Sequence, residues 1–587
     1  MSHHLITTAH EHSWKFDRPV LFLGEWCRIY DRQSVWGGMD AIVAEPYGLQ
    51  EGRKELDIAY IQSLSGQLLK ELVLALNSFH GTHHSLRYWH IVLGHWLNRY
   101  VSIVFNRYFT LEQALNRYDV SGTTIFDSSE YSLATTDSLA LISASNDDIW
   151  NHVLYSRILN FLGGIKTELD ADAIKGVPRF SRVKKSNPDR KTGAKRLVLN
   201  ACNKILERLG SNEDAFIINS YLPFKVEVKL QLGLGQWPKR WKSPPLQTVP
   251  PNPVQRKRVQ LEGGGHEGFE SFVRTHLAEM IPTCFLEGYA QLIEQSGNLS
   301  WPSRPRFVFT SNNFDSDEIF KVWVGQKVEE GVPYFTGQHG NNYGTLLGSN
   351  NWPELVTCDK FFTWGWSTGY ARNIPAFVFK TAGQKKLGMK SDGGLLLIEL
   401  HAPLRLGPED DYFDFGIYQE GQFRFVEALP DHISEKVTVR LHCYHSVFRW
   451  FDVQRWRDRL PLAGIESGAV PVQQLIEKSR LVVYSYDSTG ILEALALNMP
   501  MICFWHGGLD HLLSDAKPYY ELLKNAGILH DTPESAAMKV MEIWNHVGLW
   551  WGSTQVQGAR KLFSERYARQ EEKPAKTLKR LLTMGLD

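Results

Sequence analysis

The chain has 587 residues, 43% of them apolar and 22% charged, with 64 Lys and Arg matched by 64 Asp and Glu. One hydrophobic core cannot hold that length, so roughly two to four domains are expected, and the apolar content excludes a disordered chain. A formal net charge of zero excludes a nucleic-acid protein that works through a broad basic face.

A first unit opens with the apolar run from Pro19 to Trp26, read as a buried strand that delivers Gly24, Glu25 and Trp26 at its carboxyl end. Two helical patterns follow. From Ile61 to Phe79, Leu64, Leu68, Leu72 and Leu76 share one face; from Arg87 to Tyr108, Trp89, Leu93, Trp96 and Tyr100 do the same. Two basic stretches then lack periodicity and read as loops or insertions: residues 175 to 196, and Trp237 to Arg258, which is rich in proline and runs on to Gly263–Gly265. Their Lys, Arg and Trp residues are the expected contact with an anionic membrane surface.

Helix signals resume from Phe269 to Gln295. Three apolar runs, Arg306–Ser311, Pro333–Gly340 and Lys360–Gly365, alternate with helix-length stretches and end in polar residues or glycine. That pattern predicts a parallel α/β sheet, with Ser311, Asn312, Gln338, His339 and Gly340 on its carboxyl edge, where such sheets bind ligands. A second α/β unit begins at Gly393–His401 and continues through a helix at Gly421–Leu429, the strand Val437–His442 and a helix at Val472–Lys478; the tail from Ser553 to Leu586 reads as a basic amphipathic helix.

The most informative segment is Ser479 to Trp505. A buried strand, Leu481–Tyr484, runs into the hydroxyl-rich turn Ser485–Gly490, then a helix from Ile491 to Leu497 with Glu493 in its first turn, stopped by Met499–Pro500. Free backbone N–H groups and the helix dipole make such a turn an anion site. Ser485, Ser488 and Thr489 are placed there as phosphate donors and Glu493 as an acceptor for ribose hydroxyls. Arg440 and His442, ending the neighbouring strand, are expected to assist them.

This segment resembles the donor-nucleotide site in the C-terminal domain of GT-B glycosyltransferases, where a Ser/Thr turn precedes a helix carrying Glu and then Asn/Gly-x-Pro. Most of the chain resembles the transferases encoded in bacterial O-antigen and surface-polysaccharide loci, on Leu23–Cys27, Leu76–His80 with Arg87–Trp89, Gly337–Gly340 with Tyr343–Gly344, Thr363–Trp366 and Ser485–Pro500. More distantly it is similar to the retaining transferases that use CMP-activated acidic sugars such as Kdo, which have a His-Gly turn late in the N-terminal domain.

The resemblance implies an α/β, GT-B-like fold of two Rossmann-type domains facing each other across a cleft: residues 1–390 on the acceptor side, with helical and basic insertions at about 165–265, residues 391–555 binding the donor, and a C-terminal helix at 556–587. It implies transfer of a sugar, Kdo or a nonulosonic acid such as pseudaminic acid from a CMP donor, to a glycan or undecaprenyl-linked acceptor, without a cofactor and without nucleic acid. A sugar-nucleotide epimerase of the same fold and a non-catalytic polysaccharide-assembly scaffold are the alternatives.

For acid and base work the candidates are Glu25, His339, Glu399 and Asp487. Glu25 is expected to have its pKa raised beside Trp26, and His339 is flanked by glycines that let backbone approach a ligand. Trp26, Arg87, Ser311, Asn312, Gln338 and Gly340 are the expected substrate contacts. No metal is expected: Asp315 and Asp317 follow a strand in a domain whose layout resembles the metal-independent kind, and His80, His83 and His84 lack a nearby acid cluster. The six cysteines form no CxxC pair and no apolar run reaches the roughly 18 residues of a membrane span, so a cytoplasmic protein associated with the inner membrane face is expected.

Overall fold

The computed structural model describes residues 2–50, 52–181, 211–261, 267–384, 389–401 and 415–586. Among the described residues sixteen strands pair in parallel into three sheets. The first holds β1 (His3–Ile6), β2 (Val20–Phe22), β3 (Ala41–Val43), β4 (Val120–Phe126) and β5 (Thr167–Asp170) in the order β3-β2-β1-β4-β5. The second holds β6 (Phe216–Ile218), β7 (Val308–Thr310), β8 (Tyr334–Gly337), β9 (Lys360–Thr363) and β10 (Asn373–Pro375) in the order β10-β9-β8-β7-β6. The third holds β11 (Gly394–Ile398), β12 (Val437–Arg440), β13 (Gly464–Glu466), β14 (Ser479–Tyr484), β15 (Met501–Phe504) and β16 (Leu529–His530) in the order β13-β12-β11-β14-β15-β16.

The central strands are apolar because helices cover both faces of a parallel sheet; β7, β8 and β15 are buried throughout. Residues 1–390 thus carry two sheets, the first opened by a strand that periodicity does not reveal. Its His4 is buried with Nε2 3.1 Å from Thr124 Oγ1, a polar residue made compatible with a core by its partner.

Long helices separate the sheets. Helix α1 (Arg53–His80) ends at Gly81 in the left-handed region (φ 67°), and α2 (Leu86–Arg117) starts at Ser85, whose hydroxyl accepts the Tyr88 N–H. They pack together over the first sheet with Trp89, Trp96 and Tyr100 buried. Helix α3 (Glu318–Glu329) lies between α2 and the second sheet and contributes to both cores. Further on come α4 (Phe415–Glu427), α5 (Asp452–Arg459), α6 (Thr489–Ala496), α7 (Thr554–Tyr567) and α8 (Pro574–Thr583). One apolar cluster runs from Phe216 through the third sheet to Phe563 in α7, so the second and third sheets share a core.

Two expectations change. The tail is two helices, interrupted before Pro574, and α8 packs Leu578, Leu581 and Leu582 onto Phe307, Phe309 and Phe362 of the second sheet. The basic stretch at 237–258 is partly built into the fold: Lys239 is buried with Nζ 3.0 Å from Asp214, and Arg256 is buried with Nε 2.7 Å from Glu287. Those two cations are therefore not available to a membrane. Residues 182–210 of the first basic stretch and Gly263–Gly265 lie outside the described residues. Among the described residues no helix is long and apolar enough to cross a membrane.

Candidate functional site

The carboxyl ends of β8 and β14 meet. The loop after β8 carries Gln338, His339, Gly340 and Asn341; the turn after β14 carries Asp487, Ser488 and Thr489. Asn341 donates its backbone N–H to Thr489 Oγ1 (3.1 Å) and its side-chain amide to the Asp487 carbonyl (2.6 Å). Gly340 is required by proximity, since a Cβ there would sit 2.9 Å from Thr489 Oγ1. Ser488 caps α6, its hydroxyl accepting the Gly490 N–H at 3.0 Å. The turn read from the sequence as an anion site thus faces His339 across a joint that fixes both.

Gln338 is a brace. It is fully buried, its Oε1 accepts the N–H of Trp364 and the indole N–H of Trp366 (both 2.8 Å), and its amide donates to the Gly340 carbonyl (2.8 Å). It therefore positions the loop that holds His339. Ser311 is likewise buried and donates to the Ser220 carbonyl (3.1 Å); Asn312 follows it at the same edge, half-buried.

His339 is half-buried, and burial lowers its pKa from the ordinary value, so its ring is neutral at pH 7. Its Nδ1 lies 3.1 Å from the Tyr343 hydroxyl, and that hydroxyl lies 2.6 Å from Glu354 Oε1. A phenol has one proton, and the shorter bond to the carboxylate takes it. The Tyr343 oxygen is then an acceptor, which places the His339 proton on Nδ1 and leaves the Nε2 lone pair free. Glu354 is buried; burial alone would raise its pKa, but His95, with Nε2 3.2 Å from Oε2, and the Tyr343 hydrogen bond hold it below the usual range. His95 Nδ1 lies 3.6 Å from Asp315, which also takes the Arg99 guanidinium. The contacts from His339 through Tyr343, Glu354, His95 and Asp315 to Arg99 form one continuous polar run.

In the third sheet the candidates separate. Glu493 forms an ion pair with Lys380 (3.3 Å), and Lys380 lies over the Tyr221 ring, which touches His339. Asp487 points inward, 3.3 Å from His511 Nε2 and from the Tyr520 hydroxyl. Ser485 is a core residue, bonded to the Tyr418 hydroxyl (2.8 Å) and the Ile398 carbonyl (3.0 Å), which removes its hydroxyl from the turn's outer face. Glu399 is buried and accepts the Trp456 indole N–H (3.0 Å); burial and then Asp452 raise its pKa well above the ordinary value. Arg440 stands 3.9 Å from Glu466, and His442 stacks on His401 at 4.7 Å with its pKa lowered by burial.

The first-sheet candidates lie elsewhere. Glu25 is held by the Arg28 guanidinium, and Trp26 donates its indole N–H to the Thr7 carbonyl (3.0 Å). Both line a small pocket with Asp148, Phe448 and Arg449. The expected apolar setting of Glu25 is replaced by an ion pair. Arg87 ties α2 to the segment before β9, through the Thr357 carbonyl and Asp359 (both 2.8 Å), and so anchors structure away from the cleft. Asp315 and Asp317 diverge, the first toward Arg99 and the second toward Ser243, Asn313 (2.6 Å) and the α3 N-terminus. His80 bonds the Phe285 carbonyl (3.1 Å) and His84 bonds Glu329 (2.8 Å). Among the described residues no group of three metal-ligating side chains is gathered.

Sequence reasoning missed Asn341, Tyr343 as a functional partner, Glu354, His95, Tyr221 and Lys380. Tyr343 was at hand in the Gly337–Gly344 signature; Glu354 and His95 are distant in sequence and meet only through packing.

No curated protein matches the chain. Solved structures overlap it loosely: S. aureus MnaA with UDP, at 13% identity and TM-score 0.37 over 63% of this chain and 96% of that one; SnogD, a glycosyltransferase of Streptomyces nogalater, at 13% and 0.34 over 64% and 100%; and Anabaena HepE with UDP and glucose, at 12% and 0.32 over 64% and 99%. The α/β architecture rests on the strand pairings themselves. A family model, by contrast, spans residues 3–582, nearly the whole chain and every element of the joint around His339, and on that match the chain belongs to the LIC12162 family of transferases.

Proposed function

We propose that the protein is a metal-independent GT-B glycosyltransferase of surface-polysaccharide (O-antigen or capsule) assembly. It moves a sugar from a nucleotide-activated donor, a CMP-linked Kdo or nonulosonic acid such as pseudaminic acid in the finest form of the reading, to a glycan or undecaprenyl-linked acceptor at the inner face of the membrane. One observation carries it: the hydroxyl turn at the start of α6 abuts the His339 loop, so a helix N-terminus suited to a phosphate and a neutral imidazole with a free Nε2 lie side by side.

In this reading the α6 N-terminus and the Ser488 hydroxyl hold the donor phosphate. The acceptor hydroxyl loses its proton to His339 Nε2 as its oxygen bonds to the anomeric carbon, while the bond from that carbon to the phosphate oxygen breaks and the nucleotide leaves with the electron pair. Thr489 is already committed to Asn341, so it closes the joint more than it grips phosphate. Burial disfavours the Glu399 carboxylate, which suits it to hydrogen-bond donation more than to work as a base.

A thermal-shift panel of CMP, UDP, GDP and CDP tests the donor site. At least one nucleotide is expected to stabilise the fold, by about 3 kcal/mol at 100 times its Kd, and Ser488→Ala to reduce that shift. Stabilisation by none of the four overturns the reading. Turnover of a UDP-sugar without acceptor would point to the epimerase instead.

A further inference from the structure

Beside His339, at the carboxyl end of β6, the second sheet opens into a cleft of about 650 Å³, within the range of small-ligand sites. Its rim is the segment Asn219–Leu222. Asn219 and Tyr221 both take left-handed backbone conformations (φ 48° and 61°) although neither is glycine. For tyrosine that geometry is unfavourable and must be held by its surroundings. Ser220 between them is locked: its hydroxyl bonds Glu227 and accepts the Leu222 N–H (3.3 Å), while its carbonyl accepts the Ser311 hydroxyl (3.1 Å).

The result is one ring that belongs to two places. Tyr221 lines the cleft and touches His339, 5.6 Å between centroids, and Lys380 lies 5.3 Å from its ring while pairing with Glu493 of α6. Tyr221 is therefore the link between the cleft and the joint between β8 and β14.

Its charges are unequal in availability. The Asp317 carboxylate is used by Ser243, Asn313 and the Phe320 N–H, and Glu227 is occupied by Ser220, with burial raising its pKa. Arg240 and Lys242 line the same cleft, are exposed, and make no ion pair within 4 Å among the described residues. Both carboxylates are half-buried and burial raises both pKa values, with Arg240 offsetting this for Glu227, so the exposed charges that the cleft presents are Arg240 and Lys242.

We propose that this cleft is the acceptor subsite and that it takes a sugar unit bearing a negatively charged group, its ring on Tyr221 and its charge on Arg240 and Lys242. The assignment rests on His339 being the base of the transfer described above, but its own content is the charge preference. An acidic group comes to a sugar as a carboxylate or as a phosphate ester; both suit a guanidinium and an ammonium.

The test is calorimetric titration of the full chain with three disaccharides of equal ring number: cellobiose, cellobiouronic acid and a cellobiose phosphate monoester. At least one acidic probe is expected to bind about tenfold more tightly than cellobiose, the size of one hydrogen bond to a charged group. Which acid binds better identifies the carboxylate or the phosphate source. Arg240→Gln combined with Lys242→Gln is expected to abolish the preference while leaving cellobiose unchanged. Equal binding of all three, binding of none, or a preference that survives the double variant overturns the proposal. Nucleotide stabilisation is measured on the same preparations, so loss of the charge preference with nucleotide binding intact refutes the acceptor assignment and leaves the donor site standing.

Discussion

The third sheet meets the second through backbone and the first through side chains. Against the second, Asn341 reaches Thr489 and Asp487, Leu347 N–H donates to the His511 carbonyl (2.9 Å), Leu513 N–H donates to the Thr345 carbonyl (2.7 Å), and one apolar core runs through both. Against the first, the contacts are Arg449 with Asp148 (2.9 Å), Tyr30 with Asp458 (2.8 Å) and Arg455 over the Tyr30 ring (4.3 Å). Apart from the Lys380–Glu493 pair, the joint with the second sheet is made of neutral hydrogen bonds that hold across salt and pH, whereas one of half-exposed ion pairs is screened by salt and titrates. The proposed donor and base groups sit at the first kind of joint, where reacting atoms need fixed placement.

The largest expected effect is on the rigid joint. Glu354→Ala removes the buried carboxylate that His95 and the Tyr343 hydroxyl contact and is expected to cost about 3 to 5 kcal/mol, measured by denaturant unfolding. Tyr343→Phe is gentler and more telling: the ring stays, the hydroxyl goes, and nitrogen-resolved NMR of His339 is expected to change from the Nδ1-protonated tautomer to a mixture. An unchanged tautomer would mean that Tyr343 does not set it.

Gly340→Ala comes next. The new methyl meets Thr489 Oγ1 at 2.9 Å, so the joint must open slightly; a loss of about 1 to 3 kcal/mol is expected, together with a weaker nucleotide shift.

At the yielding joint the informative variable is pH. Burial raises the Asp148 pKa to about 6 despite Arg449, so the folded state binds this proton more tightly than the unfolded chain. The stability this contributes is complete below the unfolded value near 4 and is lost as pH rises through about 6. Asp148→Asn is expected to flatten that dependence, gaining about 2 kcal/mol at pH 8 relative to pH 4, a figure reduced because 20% of the side chain is exposed. The smallest effect is Arg449→Ala, about 0 to 1 kcal/mol at low salt and vanishing in 1 M salt. A larger loss, or one that salt leaves intact, would erase the contrast between the joints.

Much of the second and third sheets was legible because their strands are apolar runs ending in polar residues. Tyr334–Gly337, Gly394–Ile398 and Ser479–Tyr484 each lie at or within a residue or two of the stretches that read as strands. The first sheet was read only at Val20–Phe22; His3–Ile6 hides behind two histidines and Thr167–Asp170 behind charge. At the site, the Ser485–Gly490 turn and the His339 loop could be placed by motif, but the direction of each side chain could not. Whether Ser485 faces a ligand or the Ile398 carbonyl depends on which face of β14 is covered, and a run buried on both faces carries no alternation to say. Long-range partners such as His95 and Glu354 left no local trace. The excess of tryptophan also divides by packing: Trp89, Trp96, Trp150, Trp364, Trp366 and Trp456 are fully enclosed.

Helix α8 belongs to the second sheet in space and to the end of the chain in sequence. Residues 216–375 therefore emerge from the ribosome with an apolar face that stays uncovered until the entire third sheet has been made and the last turns have crossed back. Synthesis at about 5 to 20 residues per second leaves that face exposed for roughly 10 to 40 seconds. The third sheet is made in that interval, between the second sheet and the helix that covers it.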